Sequence, residues 1–391
     1  MRPVAALVVG VALVATSCGA GKPSPSAAGV APRNTVAFVS LGATPETPST
    51  RRSLALLPGG PRAQALLDRV AWAGVSRPVD VAILSPRQAV AYALPGDRGA
   101  FDKGLDSAGL QHARIRGWTA FTPSAQALDT AKRAKTRLSG AAWYAPATRA
   151  AAGSDRSVLT HDGPHWTTVA VEGEHVRRTT PGGGIDSRQP LATRIPENAV
   201  VAAAAHDFGA ALRSLPFAPV VERGFGLRLN DLARATPQSA VVYLGVGVPI
   251  PTLTLVAEGG TLRAATRVVR QLDVVAPSSV PVTIGGVQLN DVAFGALDLY
   301  YGRSHDDLVI TTDPSFDLQP ANQLEPPGLP KATAAWLYLD AERAPTALQS
   351  LAVLAGTSFS PRLLQELRGL RSVLAFVTHT RTTTSVTLSI R

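Results

Sequence analysis

The last eight residues of the chain alternate in character. Thr384, Val386, Leu388 and Ile390 are separated by Ser385, Thr387 and Ser389. A two-residue period sends one set of side chains to each face of an extended strand, so this segment reads as a strand with one buried face. The same extended pattern, cut by short turns, recurs along the chain. Val36-Ala37-Phe38-Val39-Ser40-Leu41 is a continuous apolar run and reads as a buried strand. Residues 79–84 and 89–94 flank the turn Ser85-Pro86-Arg87 as a hairpin, and residues 166–171 and 175–179 flank Glu172-Gly173-Glu174 as another. Residues 113–116 and 118–122 form a strand pair, and 141–145 a further strand. Helical spacing appears over 62–72, in the segment that places Phe101, Leu105 and Ala108 on one face, and over 124–137. Strands joined by tight turns pair antiparallel, which gives an α+β fold of mostly antiparallel sheet with helices packed on one face.

The order of elements then starts again. Residues 180–194 hold Pro181-Gly182-Gly183-Gly184 and little apolar content, and mark a boundary. Beyond it, Pro196-Glu197-Asn198-Ala199-Val200 repeats Pro32-Arg33-Asn34-Thr35-Val36 as Pro-x-Asn-x-Val, and 240–246 with 252–257 repeat the hairpin. Thr261 caps a helix carrying Leu262, Ala265, Val268 and Leu272 on one face. Asp313-Pro314-Ser315 after 308–312 echoes Pro123-Ser124 after 118–122, and Ala334-Ala335-Trp336 echoes Ala141-Ala142-Trp143 at an offset of 193 residues. Arg371-Ser372-Val373-Leu374 echoes Arg156-Ser157-Val158-Leu159, the longer gap there being filled by a helix with Ser360 as cap and Pro361 at its first position. Matches in one order, each followed by the same kind of element, predict two tandem duplicated units, 35–194 and 195–391.

The N-terminus carries an export signal. Arg2 precedes an apolar core of thirteen residues, 3–15, followed by Ala15-Thr16-Ser17-Cys18. That core is too short for the ~20 residues a spanning helix needs. Val14-Ala15-Thr16-Ser17-Cys18 resembles the lipobox of bacterial lipoproteins in its looser form, with Ala15 where Leu is commonest. The resemblance implies a signal peptide over 1–17 and a diacylglyceryl group on Cys18 as the first mature residue. Residues 18–34, rich in Gly, Ser, Pro and Ala, then read as the lipidated cysteine and a flexible tether. The opening Pro32 and Pro196 of the two units also resemble exported lipoproteins of high-GC bacteria that carry a domain without an assigned activity, so this likeness implies none.

Composition and missing motifs narrow the chemistry. Cys18 is the only cysteine, so once it is lipidated no thiol is left for a disulfide, a thiolate metal site or a nucleophile. The chain lacks a Gly-x-Ser-x-Gly elbow, a His-Glu-x-x-His zinc motif, a Walker loop and a Gly-x-Gly-x-x-Gly fingerprint. No cofactor, metal or nucleic-acid partner is expected. His161, Asp162, His165 and His175 cluster around one hairpin, but Gly163-Pro164 bars a helical His pair and loop chemistry explains them. Ser304-His305-Asp306-Asp307 reads as a turn. Trp118, Trp143, Trp166 and Trp336 are assigned to strands and to the core.

What remains is charge. The chain has 38 basic and 28 acidic residues. Between 114 and 137 lie Arg114, Arg116, Lys132, Arg133, Lys135 and Arg137 against Asp129 alone. With a helix over 124–137, Lys132, Arg133, Lys135 and Arg137 share one broad face, which reads either as a solvated helix face or as a docking patch for anionic lipid or cell-wall polymer. The expectation is a lipid-anchored, extracytoplasmic protein of the cell envelope, attached to the membrane at Cys18, with a non-enzymatic binding or scaffolding role. The alternative is an extracytoplasmic hydrolase whose site has no local motif, since paired carboxylates are spaced in three dimensions.

Overall fold

The computed structural model describes residues 26–41, 66–70, 79–85, 87–154, 156–172, 175–186, 190–208, 238–247, 251–270, 280–294, 297–354 and 367–391, with single positions at 231, 234, 236 and 365. Residues 1–25, including Cys18, lie outside them, as does most of the helix expected over 62–72 and of the one capped by Ser360. The chain divides into two units: residues 1–183 with 382–387, and residues 184–381 with 388–391.

In unit 1 the strands are β1 (Ala37–Ser40), β2 (Asp80–Ser85), β3 (Gln88–Ala93), β4 (Gln111–Ile115), β5 (Trp118–Thr122), β6 (Arg156–Asp162), β7 (His165–Glu172) and β8 (His175–Pro181). Every pair is antiparallel, in the order β4-β5-β3-β2-β1-β6-β7-β8. The helices are α1 (Arg98–Ser107), α2 (Ala125–Arg133) and α3 (Tyr144–Ala150). Asp97 and Ser124 cap the first two by accepting the amides of Ala100 and Ala127.

Alternate residues of the same strands feed two separate cores. Phe38, Ala82, Val90, Tyr92, Trp118 and Ala120 pack with α2, α3 and the 3-10 turn Ala27–Gly29. Ala37, Val39, Val81, Ile83, Ala91 and Phe121 pack with Phe101 and Leu105 of α1 and with Leu66 and Leu67. Helices therefore cover both faces of the unit 1 sheet, not one. The two-residue period shows which residues share a face but leaves open whether the second face meets water or a helix. Here the second face is also apolar, so it too must be covered.

In unit 2 the strands are β9 (Val201–Ala205), β10 (Ala240–Gly245), β11 (Thr252–Glu258), β12 (Val280–Ile284), β13 (Val287–Phe294), β14 (Leu297–Ser304), β15 (Asp307–Thr311), β16 (Ala335–Asp340) and β17 (Ser372–His379). Their order is β12-β13-β14-β15-β11-β10-β9-β16-β17. The last strand, β18 (Thr383–Ile390), pairs with β8 in its unit 1 part, where the hydroxyls of Thr179 and Ser385 lie 2.9 Å apart. The Arg391 amide beyond it donates to the Ser372 carbonyl at 3.0 Å. The described helices α4 (Leu262–Arg270) and α5 (Ala344–Leu354) bring Ala265, Ala344 and Ala347 to one face. The other face packs Tyr243 and Trp336 against Ile195, Phe316 and Leu318, from segments without regular helix.

Set beside each other, β4-β5-β3-β2-β1-β6-β7 and β14-β15-β11-β10-β9-β16-β17 follow the same order, with the hairpin β12–β13 added in unit 2. The Pro-x-Asn-x-Val stretches sit alike. The Val36 amide donates to Ile83 and that of Val200 to Leu244, both at 2.8 Å; the Leu138 amide donates to Ala31 and that of Leu324 to Ile195, both at 2.9 Å. Two of the other sequence echoes do not coincide with this frame. Residues 141–145 are not a strand: Trp143 precedes the first residue of α3, whereas Trp336 lies within β16. Ser372–Leu374 lie on β17, which matches β7 and not the β6 of Ser157–Leu159. In an Ala- and Val-rich chain such words arise without shared position. Trp118, Trp166 and Trp336 lie in strands and, with Trp143, are buried.

The tether expectation also changes. Ser26 caps the 3-10 turn, and Ala27 and Ala31 are fully buried against β2 and β3, so residues 26–33 belong to the folded body. The Ala27 amide donates to the carboxylate of Asp80 at 2.6 Å. Asp80 has no exposure, and burial raises its pKa to about 6 from an ordinary 3.8, offset in part by the Ala27 amide and the Ser40 and Ser26 hydroxyls. Across the β2–β3 pair stands Tyr92, whose hydroxyl is buried without a hydrogen-bond partner; burial raises its pKa too, and the nearby Arg137 charge opposes that rise.

A carboxyl whose folded pKa is raised holds its proton longer in the native state than in the unfolded chain. Its stabilising contribution is whole below pH 3.8 and is lost as pH climbs through about 6. Asp80→Asn keeps an acceptor for Ala27 without the charge. It should raise the unfolding free energy at pH 7 by about 2–3 kcal/mol and flatten the stability change between about pH 4 and 6 in urea titrations. Trp336→Ala, at a buried site, should lower it by about 3–5 kcal/mol in the same assay.

Candidate functional site: an open cationic cleft in unit 1

The helix α2 ends four residues earlier than its periodicity suggests. Its last turn carries Lys132 and Arg133, cations that complement the negative end of the helix dipole. Ala134 then turns to an extended conformation (φ −59°, ψ 113°). Arg137 is the reason the chain can leave the helix there. Its guanidinium Nη1 donates to the Ala131 carbonyl in the last turn at 3.0 Å and to the Val30 carbonyl at 2.6 Å. A side chain from beyond the helix thus satisfies a carbonyl that a longer helix would have bonded internally. The same bonds tie α2 to the buried N-terminal turn.

The four-residue basic patch therefore separates. Lys132, Arg133 and Lys135 are exposed, while Arg137 is half-buried and structural. Arg116 occupies a two-residue hairpin turn with φ 49°, followed by Gly117 at 91°. Arg114 pairs with Thr119 in the register that sends His112 and Phe121 toward α1, so it lies on the opposite face of the sheet from α2.

In place of the patch is a cleft of about 480 Å³, wide open to solvent, lined by Pro32, Arg33, Asn34, Thr130, Arg133, Ala134 and Thr136. Its two walls are hydrogen-bonded to each other: the Arg33 amide donates to the Thr136 carbonyl at 3.2 Å, and Pro32 and Arg137 form an antiparallel bridge. Arg133 makes a loose ion pair with Asp129 at 3.7 Å, with both side chains largely in water, which binds neither strongly. Arg33 is the lining cation that sequence reasoning missed, because 18–34 was assigned to tether. The available signal was the Pro-x-Asn-x-Val repeat, which marks Arg33 as the first variable position of a shared frame.

The remaining candidates are accounted for locally. His161 stacks on Trp143 with ring centroids 4.4 Å apart, and its nitrogens face the Thr35 and Gly163 carbonyls at 3.2 and 3.4 Å. His165 pairs with Asp162 at one end of β7, and His175 with Glu172 at the other. Among the described residues no group of three or more potential ligands could hold a metal. Ser304–Asp307 is the β14–β15 turn; burial raises the Asp307 pKa, and Arg194 at 3.6 Å opposes the rise. Asp291 is raised by burial and then by Asp298, and this pair belongs to the β13–β14 hairpin of unit 2.

Known family models do not match the chain, and no curated protein sequence does. Among solved structures, crystal form I of TP0453 matches with 12% identity over 50% of this chain and 75% of its own, at a TM-score of 0.28, from which nothing is carried over.

The division of labour among the cations is measurable. Arg137→Ala should lower the unfolding free energy by about 2–3 kcal/mol, since charged donors to two carbonyls are removed. Lys132→Gln and Lys135→Gln should each stay within about 0.5 kcal/mol by thermal denaturation.

Proposed function

We propose that this chain is an exported, lipid-anchored protein of the cell envelope, with a binding or scaffolding role, and that unit 1 is laid against an anionic surface. The observation that carries the reading is the partition of charge. Unit 1 holds 21 basic and 11 acidic residues, 20 basic once Arg2 leaves with the signal peptide; unit 2 holds 17 of each. The whole net charge therefore resides in the unit that follows the lipobox. A concentrated positive field on one unit draws anionic lipid or cell-wall polymer. The cleft supports binding over catalysis, because its lining offers guanidiniums, an amide and hydroxyls and no acid or imidazole. Among the described residues no helix is long and apolar enough to cross a membrane. In this reading the acyl chains on Cys18 make the attachment, each buried methylene contributing about 0.8 kcal/mol.

We also read the two units as products of an internal duplication. The shared strand order and the matched amide bonds of Val36 with Val200 and Leu138 with Leu324 support that reading.

Cys18→Ser tests the anchor. The variant is expected in the aqueous phase of a detergent partition of cell membranes, with the unaltered chain in the detergent phase. A variant that stays in the detergent phase would overturn the lipid attachment.

A further inference from the structure

The two units offer an internal control on the cleft. In unit 1 its frame is Pro32-Arg33-Asn34, with Arg33 bonded to Thr136 and Pro32 bridged to Arg137. In unit 2 the frame is Pro196-Glu197-Asn198: the Glu197 amide donates to the Asn322 carbonyl at 3.1 Å, and Pro196 bridges to Gln323. The backbone is held the same way while the side chain after the proline changes from a cation to an anion. The fold therefore does not need a positive charge at this position, and Arg33 is available for a ligand.

From this we propose that the cleft binds the phosphodiester headgroup of an anionic phospholipid in the membrane to which the chain is anchored. This rests on the envelope reading above and names the ligand class and the site. Arg33 and Arg133 come from separate segments and line one hollow. Planar guanidinium forks match phosphate oxygens bidentately, and Asn34 and Thr136 add neutral donors at the same wall. Lys132 and Lys135 stand exposed beside it and extend the field. Position selects the lipid over other phosphates. Ser26, the first described residue, stands eight residues after Cys18. Even at full extension eight residues span at most ~29 Å. The cleft-lining residues 32–34 follow closely on the turn Ala27–Gly29, so the cleft lies within that reach of the attached leaflet.

The test uses the mature chain, residues 18–391 with Cys18→Ser, binding to vesicles of phosphatidylglycerol with phosphatidylcholine and to phosphatidylcholine alone. Binding is expected only with phosphatidylglycerol, and should weaken as salt shortens the Debye length. Arg33→Glu, whose side chain the equivalent position in unit 2 already accommodates, should weaken it at least fivefold, and Arg33→Glu with Arg133→Glu at least 25-fold, taking about a factor of five per basic residue at an anionic surface. Arg178→Glu, an exposed arginine of β8 with the same charge change, is the control and should weaken it less than Arg33→Glu. Equal weakening by Arg33→Glu and Arg178→Glu would overturn the site and leave general electrostatic docking intact. Displacement from the vesicles by soluble polyphosphate at matched phosphate concentration would overturn the lipid assignment in favour of a free polyanion. Absence of binding at low salt would overturn both the site and the docking of unit 1, while the anchor at Cys18 is judged separately by the detergent partition.

Discussion

Each unit closes on its first strand. β1 takes β2 along one edge and β6 along the other, and β9 takes β10 and β16 in the same way. β2 begins 40 residues after the end of β1, but β6 begins 116 residues after it. Closing such a loop costs chain entropy before any contact repays it. The repayment is burial on both faces of one short strand: Phe38 enters one core, Ala37 and Val39 the other. Every other layer is placed relative to that strand, including the N-terminal turn that lies over β2 and β3.

Because β1 is used on both edges and both faces, polar groups beside it become expensive. Asp80 is the clearest case. It stands at the start of β2 opposite Ser40, and its carboxylate meets the first amide of the buried turn. An acid there sacrifices stability at neutral pH and in return gives that turn a fixed hydrogen-bond partner. Arg137 does the same from the other side, through Val30 and Ala131. Two polar side chains thus hold the N-terminal turn, and one of them also ends α2 where the cleft opens.

Elements with strong local signals were legible in the sequence. The hairpin β2–β3, the helix carrying Phe101 and Leu105 and the strand pair β4–β5 follow from periodicity and turn residues; the last strand forms as its alternation predicts, but with the opposite face inward, since Thr387 and Ser389 are buried and Val386 is exposed. Features set by long-range contacts were not. The Gly-, Ser- and Ala-rich composition of 18–34 looks like linker because small residues carry no periodicity, yet Ala27 and Ala31 are buried since only small side chains fit between the turn and the sheet. Helix α2 reads as longer than it is, because nothing local foretells that Arg137 will fold back on Ala131. The coverage of the second sheet face in unit 1 was equally hidden. An apolar second face is visible in Ala37, Val39, Val81 and Ile83, but which helix lies on it depends on the crossing of the whole chain.

The charge difference between the units is a property of their surfaces and not of their folds. Glu197 and Arg33 occupy one backbone frame with the same amide bond, and the neighbouring Asn34 and Asn198 keep the same identity. Stability alone cannot select between an acid and a base at such an exposed position, where single substitutions change it by no more than about 0.5 kcal/mol. A pressure other than folding must then have sorted 21 basic residues against 11 acidic ones in unit 1 while leaving unit 2 balanced at 17 and 17. Solubility would be served by charge on either unit. Concentration on unit 1, with Arg33 and Arg133 lining one cleft, is what an anionic partner would require.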